Sequence, residues 1–221
     1  MSLILNIETA TRNCSVALSK DGEVTSLAEI AGEGYLHAEK LHIFIEEVVQ
    51  NAGFTLKELT AVAVSMGPGS YTGLRIGVSA AKGLCYALGL PLIAIDTLEV
   101  IARQITVGEN EFIVPLIDAR RMEVYSAMYT ANYSKVRDIK AEIITAESFG
   151  DFDGSSLHMI GDGAAKCVEF LNSDRFVYHP NVLFPSAAQM CNISFDKYKK
   201  SDTVDVAYFE PFYLKDFIVN K

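Results

Sequence analysis

The sequence predicts an α/β protein built from two related lobes, and three observations support this prediction. A meander of three short strands opens the chain, helices and strands alternate after it, and a similar succession begins again in the second half. The length of 221 residues is sufficient for two small hydrophobic cores. We therefore predict a first lobe over residues 1–105 and a second lobe over residues 106–221.

The first lobe opens with three strands, which are predicted over 3–7, 14–19 and 24–30. Lys20-Asp21-Gly22 is a strong hairpin signal between the last two. Apolar residues at three- and four-residue spacing then predict an amphipathic helix over 36–52, which Gly53 ends. A capping box, Thr55 to Glu58, starts one short helical turn.

The remainder of the first lobe surrounds a glycine-rich segment. An apolar strand over 61–66 leads into this segment, and Ser70 is placed to cap the helix that follows. Gly89-Leu90-Pro91 is typical of a helix end, so the helix is expected to finish near Leu88. A buried strand over 92–95 completes the lobe.

The second lobe contains strands predicted over 112–117, 122–129 and 157–160. Asp118–Arg121 forms the turn between the first two strands, and Gly161–Gly163 forms a turn after the third. A helix is expected over 164–171 and a short helix after Phe184-Pro185. This element order is typical of actin-like, ribonuclease-H-like lobes, although other α/β topologies share it.

Composition excludes several functional classes. The chain has 19 basic and 28 acidic residues, a net charge of −9, and is unlike proteins that grip nucleic acid through clustered lysine and arginine. Its four cysteines lie far apart without a CxxC pair, which indicates reduced thiols of a cytoplasmic protein rather than disulfides or a metal clip. We see neither a signal-peptide pattern nor an 18-residue apolar run, so secretion and membrane insertion are not expected.

Gly67–Gly77 is the most specific segment, because it follows a strand and opens a helix, where backbone N–H groups can hold an anion. It lacks the Gly-Lys-Ser/Thr ending of a P-loop, and Thr72 stands where the GxGxxG spacing needs glycine. Three interpretations stay open: close packing of the helix inside its own lobe, contact with a partner's helix, and direct phosphate binding. The small residues that would form the packing stripe are Gly73, Gly77, Ala80, Ala81 and Ala87.

With this segment and several others in a fixed order, the sequence resembles the TsaB family of the bacterial machinery that makes threonylcarbamoyladenosine in tRNA. The matching segments are 4–11 with 14–18, His37, Gly67–Gly77, 117–120 with 123–125, 184–187 and 210–215. Glu8, Tyr71 and Lys215 depart from the family's usual Asp, Phe and Arg. The resemblance implies two actin-like lobes and a non-catalytic subunit that supports TsaD, the paralogue that transfers the threonylcarbamoyl group to the adenosine beside the anticodon.

No catalytic residue and no metal ligand is predicted. The resemblance places Thr97 and Ile101 where the catalytic paralogue has a metal-binding histidine pair, and neither side chain can replace an imidazole. His37 and His42 are five residues apart, which separates their side chains by roughly 140° around a helix. His158 and His179 lie alone, without a carboxylate or cysteine at motif spacing, and are given no role.

Nucleotide binding is a further expectation to examine, because an acid at the end of the first strand positions magnesium and phosphate in actin-like relatives. The candidate cofactor-binding residues are Glu8, Thr9, Thr11, Gly161 and Gly163. No cofactor is expected to be required by this chain, and ATP or ADP is allowed at the interface of the complex. Alternative functions are an actin-like nucleotide-dependent phosphotransferase and a metalloprotease-like hydrolase, which the absent histidine pair disfavours.

The resemblance implies a partner surface on the two helices of the first lobe. TsaD is the expected partner in a heterodimer, TsaE joins them, a homodimer forms when the chain is alone, and tRNA is contacted only indirectly. Arg75 and Lys82 are expected to pair with acidic groups across the interface. The predicted interface residues are His37, Leu41, Ile43, Phe44, Ile45, Val48, Tyr71, Leu74, Arg75, Gly77, Val78 and Ala81.

Overall fold

A computed structural model describes residues 1–32 and 36–215. The chain forms two compact units, one of Met1–Val100 with Pro185–Tyr213, the other of Ile101–Phe184 with Leu214 and Lys215. The predicted lobes were 1–105 and 106–221. The structure differs because Pro185–Tyr213 packs with the first unit instead of the second. The reason is that the helix of this segment covers one face of the first sheet.

The first unit contains a five-stranded sheet in the order β3-β2-β1-β4-β5. Its strands are β1 (Leu3–Glu8), β2 (Asn13–Lys20), β3 (Glu23–Ala31), β4 (Ala61–Gly67) and β5 (Leu92–Asp96). β1, β2 and β3 form the predicted antiparallel meander, and β4 and β5 add to β1 in parallel. The parallel strands therefore place their carboxyl ends, Glu8, Gly67 and Asp96, at one edge of the sheet.

Helices cover both faces of this sheet, which explains why β1 is buried on both sides. α1 (His37–Asn51) and α2 (Tyr71–Leu88) pack on the face that holds Leu5, while α4 (Ala187–Lys199) packs on the face that holds Ile4. Ser70 caps α2 through a hydrogen bond from the Gly73 N–H, and Gly89 ends it in the left-handed conformation. A six-residue helix, α3 (Thr97–Ala102), follows β5.

The second unit contains a sheet with the same connectivity, in the order β10-β9-β6-β7-β8. Its strands are β6 (Phe112–Asp118), β7 (Glu123–Thr130), β8 (Lys135–Ile143), β9 (Leu157–Ile160) and β10 (Phe176–Tyr178). β6, β7 and β8 form an antiparallel meander, and β9 and β10 add in parallel. The prediction of two related lobes is confirmed by this repeated strand order.

Two helix predictions in this half need correction. The helix expected over 164–171 is only a 3-10 turn, Ala164–Cys167, because its N–H groups bond to carbonyls three residues earlier, as Lys166 does to Gly163. The helix after Phe184-Pro185 is not short, since α4 runs for 13 residues. Across the described residues, no helix combines the length and apolarity that a membrane span requires.

Candidate functional site

The glycine-rich segment packs directly on the turn that follows β1. A Cβ atom on Gly73 would lie 2.1 Å from the carbonyl oxygen of Thr9, and one on Gly69 would lie 2.3 Å from that of Ala10. Two hydrogen bonds fix this contact: the Ser70 N–H donates to the Ala10 carbonyl at 2.6 Å, and the Thr9 hydroxyl donates to the Gly73 carbonyl at 2.8 Å. These glycines allow two backbone segments to touch.

Gly77 continues the same contact one turn further along α2. Its Cβ position lies 2.2 Å from the Thr9 hydroxyl oxygen, and Ala81 beyond it is fully buried in the core under α1 and α2. By contrast, Gly83 has open space where a side chain would be. The predicted small-residue stripe therefore divides. Gly73, Gly77 and Ala81 are buried and pack within the unit, whereas Ala80 is only partly buried and Ala87 is exposed.

Glu8 ends β1 at the carboxyl edge of the sheet and is completely buried. One carboxyl oxygen accepts from the Ala10 N–H at 2.6 Å. Burial raises the pKa of Glu8 from 4.5 to about 7, against the lowering effect of hydrogen bonds from Ser65 and Ala10. Thr9 and Thr11 are also buried. The Thr9 hydroxyl and one Glu8 oxygen are thus engaged in the turn beneath α2, and nucleotide binding by Glu8, Thr9 and Thr11 stays a prediction.

The second unit uses its glycines in the same way. A Cβ on Gly161, whose φ is +97°, would lie 2.1 Å from the carbonyl oxygen of Leu116, and one on Gly163 would lie 2.9 Å from the backbone of Ile117. Asp118 ends β6 as Glu8 ends β1, and Lys166 forms an ion pair with its carboxylate. Close packing accounts for both glycines, and nucleotide binding at them stays a prediction.

Thr97 and Ile101, which stand in place of the paralogue's histidine pair, are held inside the fold by a hydrogen bond and by burial. The Thr97 hydroxyl lies 2.7 Å from that of Ser65 and accepts from the Gly67 N–H, while Ile101 is fully buried. Within residues 1–32 and 36–215, no group of three or more His, Cys, Asp or Glu side chains could hold a metal ion.

The remaining histidines follow two patterns. His37 is buried with its Nε2 atom 2.8 Å from the Thr11 carbonyl oxygen, and burial lowers the pKa of its imidazole, whereas His42 is exposed. His158 and His179 stack with ring nitrogens 2.9 Å apart, and Glu111 lies 3.2 Å from His158. Sequence spacing could not reveal this cluster, because the pairing of β9 with β6 and β10 assembles it.

Most of the predicted interface residues face the unit's own core. The eight buried ones are His37, Leu41, Ile45, Val48, Leu74, Gly77, Val78 and Ala81. Phe44 and Tyr71 are partly exposed, Ile43 is 54% exposed, and Arg75 lies 4.2 Å over the Tyr71 ring and donates to the Tyr213 hydroxyl. These burial values leave the partner contact itself a prediction.

The outward face of α2 carries two grooves, and they bring Gly83 and Tyr86, which were not predicted as interface residues, together with Ala80 and Lys82, which the sequence singled out. A groove of about 370 Å³ is lined by His42, Ile76, Ser79, Ala80, Gly83 and Leu84. A second groove of about 590 Å³ is lined by Lys82, Gly83, Tyr86, Asp205, Val206 and Ala207. Gly83 lines both, and Tyr86 beside it is 87% exposed. The sequence signal for this face was Gly83 itself, because a glycine in the middle of a helix is unfavourable without a packing reason.

A C-terminal strap, residues 204–213, lies along α2 and forms one wall of the larger groove. Lys82 donates to the carbonyl oxygens of Ala207 at 3.2 Å and Phe209 at 2.9 Å, and the Phe212 N–H donates to the Met66 carbonyl. Lys82 and Arg75, expected to pair with acidic groups of a partner, are thus both engaged by the chain's own strap.

Comparison with known proteins gives consistent matches over almost the whole chain. A family model described as TsaD, tRNA N6-adenosine threonylcarbamoyltransferase, matches residues 32–213. The tRNA threonylcarbamoyladenosine biosynthesis protein TsaB of Escherichia coli (strain K12) is 30% identical over 227 residues, which cover 99% of this chain and 96% of that protein. The TsaB protein of Haemophilus influenzae is 28% identical over 229 residues, covering 99% and 95%.

The fold agrees with a solved structure, YeaZ from Pseudomonas aeruginosa. The TM-score is 0.86 at 26% sequence identity, with 97% of this chain and 100% of that chain covered. The predicted fold class, α/β with two tandem actin-like lobes, is confirmed by this match and by the repeated sheet order.

Proposed function

The chain belongs to the TsaB proteins of the wider TsaD family and has a role in tRNA threonylcarbamoyladenosine biosynthesis; on this premise we propose that it is a non-catalytic subunit that binds and supports TsaD. In this proposal TsaD transfers the threonylcarbamoyl group to the tRNA adenosine beside the anticodon. The chain stabilises TsaD, and the ATPase TsaE joins the pair.

The outward face of α2 is the observation that favours a partner-binding role. Gly83 costs roughly 1 kcal/mol of helix stability relative to alanine, and no contact within the described residues compensates for it. It lies between two grooves and beside an exposed tyrosine, a residue type enriched at interfaces. A small residue at such a position lets a second helix approach closely, so we place the TsaD helix over Gly83.

Under this proposal only some of the predicted interface residues contact TsaD directly. Ile43 and Phe44 on α1 and Tyr71 on α2 remain accessible for contact, and the buried residues act by holding the two helices in place. In the absence of TsaD, the same face is free to pair with a second copy of the chain. A homodimer is therefore the expected state of the isolated protein.

A non-catalytic role is supported by the chemistry of the residues at the carboxyl edge. Glu8 is fully buried and one of its carboxyl oxygens accepts from the Ala10 N–H, so this carboxylate is not open to a hydrated divalent cation. Thr97 and Ile101 offer no imidazole. We infer that catalysis belongs to TsaD, that any ATP or ADP binds at the interface of the complex, and that the protein works in the cytoplasm, where tRNA is modified.

Binding to purified TsaD tests the proposal through substitution of Gly83. Gly83→Leu should leave the fold intact, because the site has open space, and should weaken TsaD binding by at least about tenfold, because the side chain separates the helices. Gly83→Ala should bind with a much smaller loss. Gly150→Leu is the matched control, since Gly150 also has open space but lies in the second unit.

Titration calorimetry measures these affinities, and circular dichroism verifies the fold of each variant. Unchanged affinity of Gly83→Leu for TsaD would exclude this face as the interface. Reconstitution of tRNA modification with each purified component omitted in turn tests the division of roles. Modified tRNA formed in the absence of TsaD would show that this chain is itself catalytic.

A further inference from the structure

The turn between β6 and β7 has an unusual backbone for its sequence. Arg120 and Arg121 adopt φ values of 68° and 53°, in the left-handed region that favours glycine and asparagine. Hairpin turns with two successive positive φ values normally carry Asn-Gly. The fold alone would therefore be served better by other residues, and the two arginines occupy this turn at the cost of backbone strain.

Acidic residues beside this turn are already neutralised by lysines. Asp118 pairs with Lys166 and also accepts from the Arg120 backbone N–H, and Glu123 pairs with Lys215. No ion pair joins the guanidinium of Arg120 or Arg121 to a carboxylate among the residues that the structure describes. Both arginine side chains are exposed. The turn thus presents two uncompensated guanidinium groups to solvent.

The contrast with the other arginines is informative, because most of them contact neighbouring side chains. Arg75 stacks on Tyr71, Arg103 on Tyr133, and Arg137 pairs with Glu142, while Arg175 contacts Asp153 and two carbonyl groups. Arg12 is exposed like Arg120 and Arg121, and it lies in the corresponding turn of the first unit, after β1. Exposed arginines are thus found at the turn after the first strand of each unit.

We propose that Arg120 and Arg121 form a phosphate-binding turn, whose ligand is the phosphate group of RNA or of a nucleotide. Guanidinium groups bind phosphate through paired hydrogen bonds, and charges free of internal partners lose no existing ion pair on binding. The identification of RNA as the first source rests on the proposed function, since the pathway modifies tRNA. It adds a direct contact to the expectation that tRNA is reached only through partners.

The test variant is Arg120→Asn combined with Arg121→Gly, which removes both guanidiniums and supplies residues suited to the observed backbone. It should therefore fold, with a thermal midpoint a few degrees above that of the wild type. Arg120→Lys with Arg121→Lys is the charge-retaining control. TsaD affinity should be unchanged in both, because the turn lies in the second unit and Gly83 in the first.

The first measurement uses the isolated, isotope-labelled chain, so that it does not depend on TsaD. Nuclear magnetic resonance follows the arginine side-chain Nε–H signals during titration with an unmodified tRNA transcript and, separately, with ATP. Shifts of the Arg120 and Arg121 signals with tRNA assign RNA as the source, and shifts with ATP alone assign a nucleotide. Shifts with neither ligand would overturn the proposal.

The second measurement is the tRNA affinity of the TsaD complex as a function of salt. Loss of two phosphate contacts should weaken binding about tenfold at 0.1 M salt and reduce the slope of log K against log salt by about 1.4–1.8. The lysine control should keep the slope. An unchanged slope in the Asn-Gly variant would refute the RNA contact, and so would weaker binding of TsaD instead of tRNA. Failure of the proposed function is detected separately, by unchanged TsaD binding of Gly83→Leu.

Discussion

Replacement of Gly73 by alanine should destabilise the first unit, because α2 rests on the turn after β1 at this position. The new Cβ would lie 2.1 Å from the Thr9 carbonyl oxygen and 3.3 Å from the His37 ring. Since real Cβ contacts are essentially never under 3.0 Å, the helix and the turn must separate by about 1 Å. The obstacle is backbone, which cannot rotate away as a side chain can.

Three contributions determine how much free energy of unfolding Gly73→Ala should lose. Overpacking of this kind costs about 1–3 kcal/mol, and the hydrogen bonds of Ser70 and Thr9 across the contact, worth about 1 kcal/mol each, are stretched. The gain in helix propensity from glycine to alanine returns about 1 kcal/mol. We expect a net loss of about 2–4 kcal/mol.

Urea denaturation followed by far-ultraviolet circular dichroism measures this loss. Gly83→Ala is the matched control on the same helix: its Cβ meets open space, so it should gain up to about 1 kcal/mol in the isolated chain. If Gly73→Ala proves as stable as Gly83→Ala, the contact between α2 and the turn does not require glycine, and the explanation of the glycine-rich segment fails.

Two further predictions concern Glu8 and the strap. Because the folded pKa of Glu8, about 7, lies above its ordinary value of 4.5, the folded state retains a proton that the unfolded state releases. The free energy of unfolding should fall by about 3 kcal/mol as pH rises from 4.5 to 7 and then level off. Denaturation of Glu8→Gln at the same pH values should lack this fall. Equal pH dependence of the two proteins would contradict the prediction. Lys82→Met should remove the bonds to Ala207 and Phe209. Hydrogen exchange of the strap should then accelerate several-fold while exchange in β1 stays unchanged, and equal protection in both proteins would disprove this anchoring.

Strongly patterned elements of this fold could be predicted from sequence, and the exceptions have physical reasons. β8 was missed because Lys135–Ile143 alternates charged and apolar residues around an exposed edge strand, without a continuous buried face. β10 has only three residues. The place of α4 depended on a tertiary contact with Ile4 and Ala17, far away in the chain, which no local pattern encodes.

The sequence predicted that α2 would be closely approached by another segment, but it did not show which side of the helix faces inward and which faces solvent. Small residues along α2 indicated a close approach, yet sequence could not distinguish the inner glycines from Gly83, because the surface they approach is supplied by Thr9 and Ala10 some sixty residues earlier. The same limit hid the contact of His158 with His179 and Glu111, which are separated in the chain and joined by strand pairing.

The discontinuous first unit also affects how the protein emerges from the ribosome. β1 to β5 are made first, but the helix that covers their second face follows only after the main segment of the second unit, Ile101–Phe184, has been translated. At roughly 5–20 residues per second this interval lasts about 4–17 s. During it, Ile4, Ile93 and neighbouring apolar side chains lack their cover, so this nascent sheet is a natural substrate for chaperones.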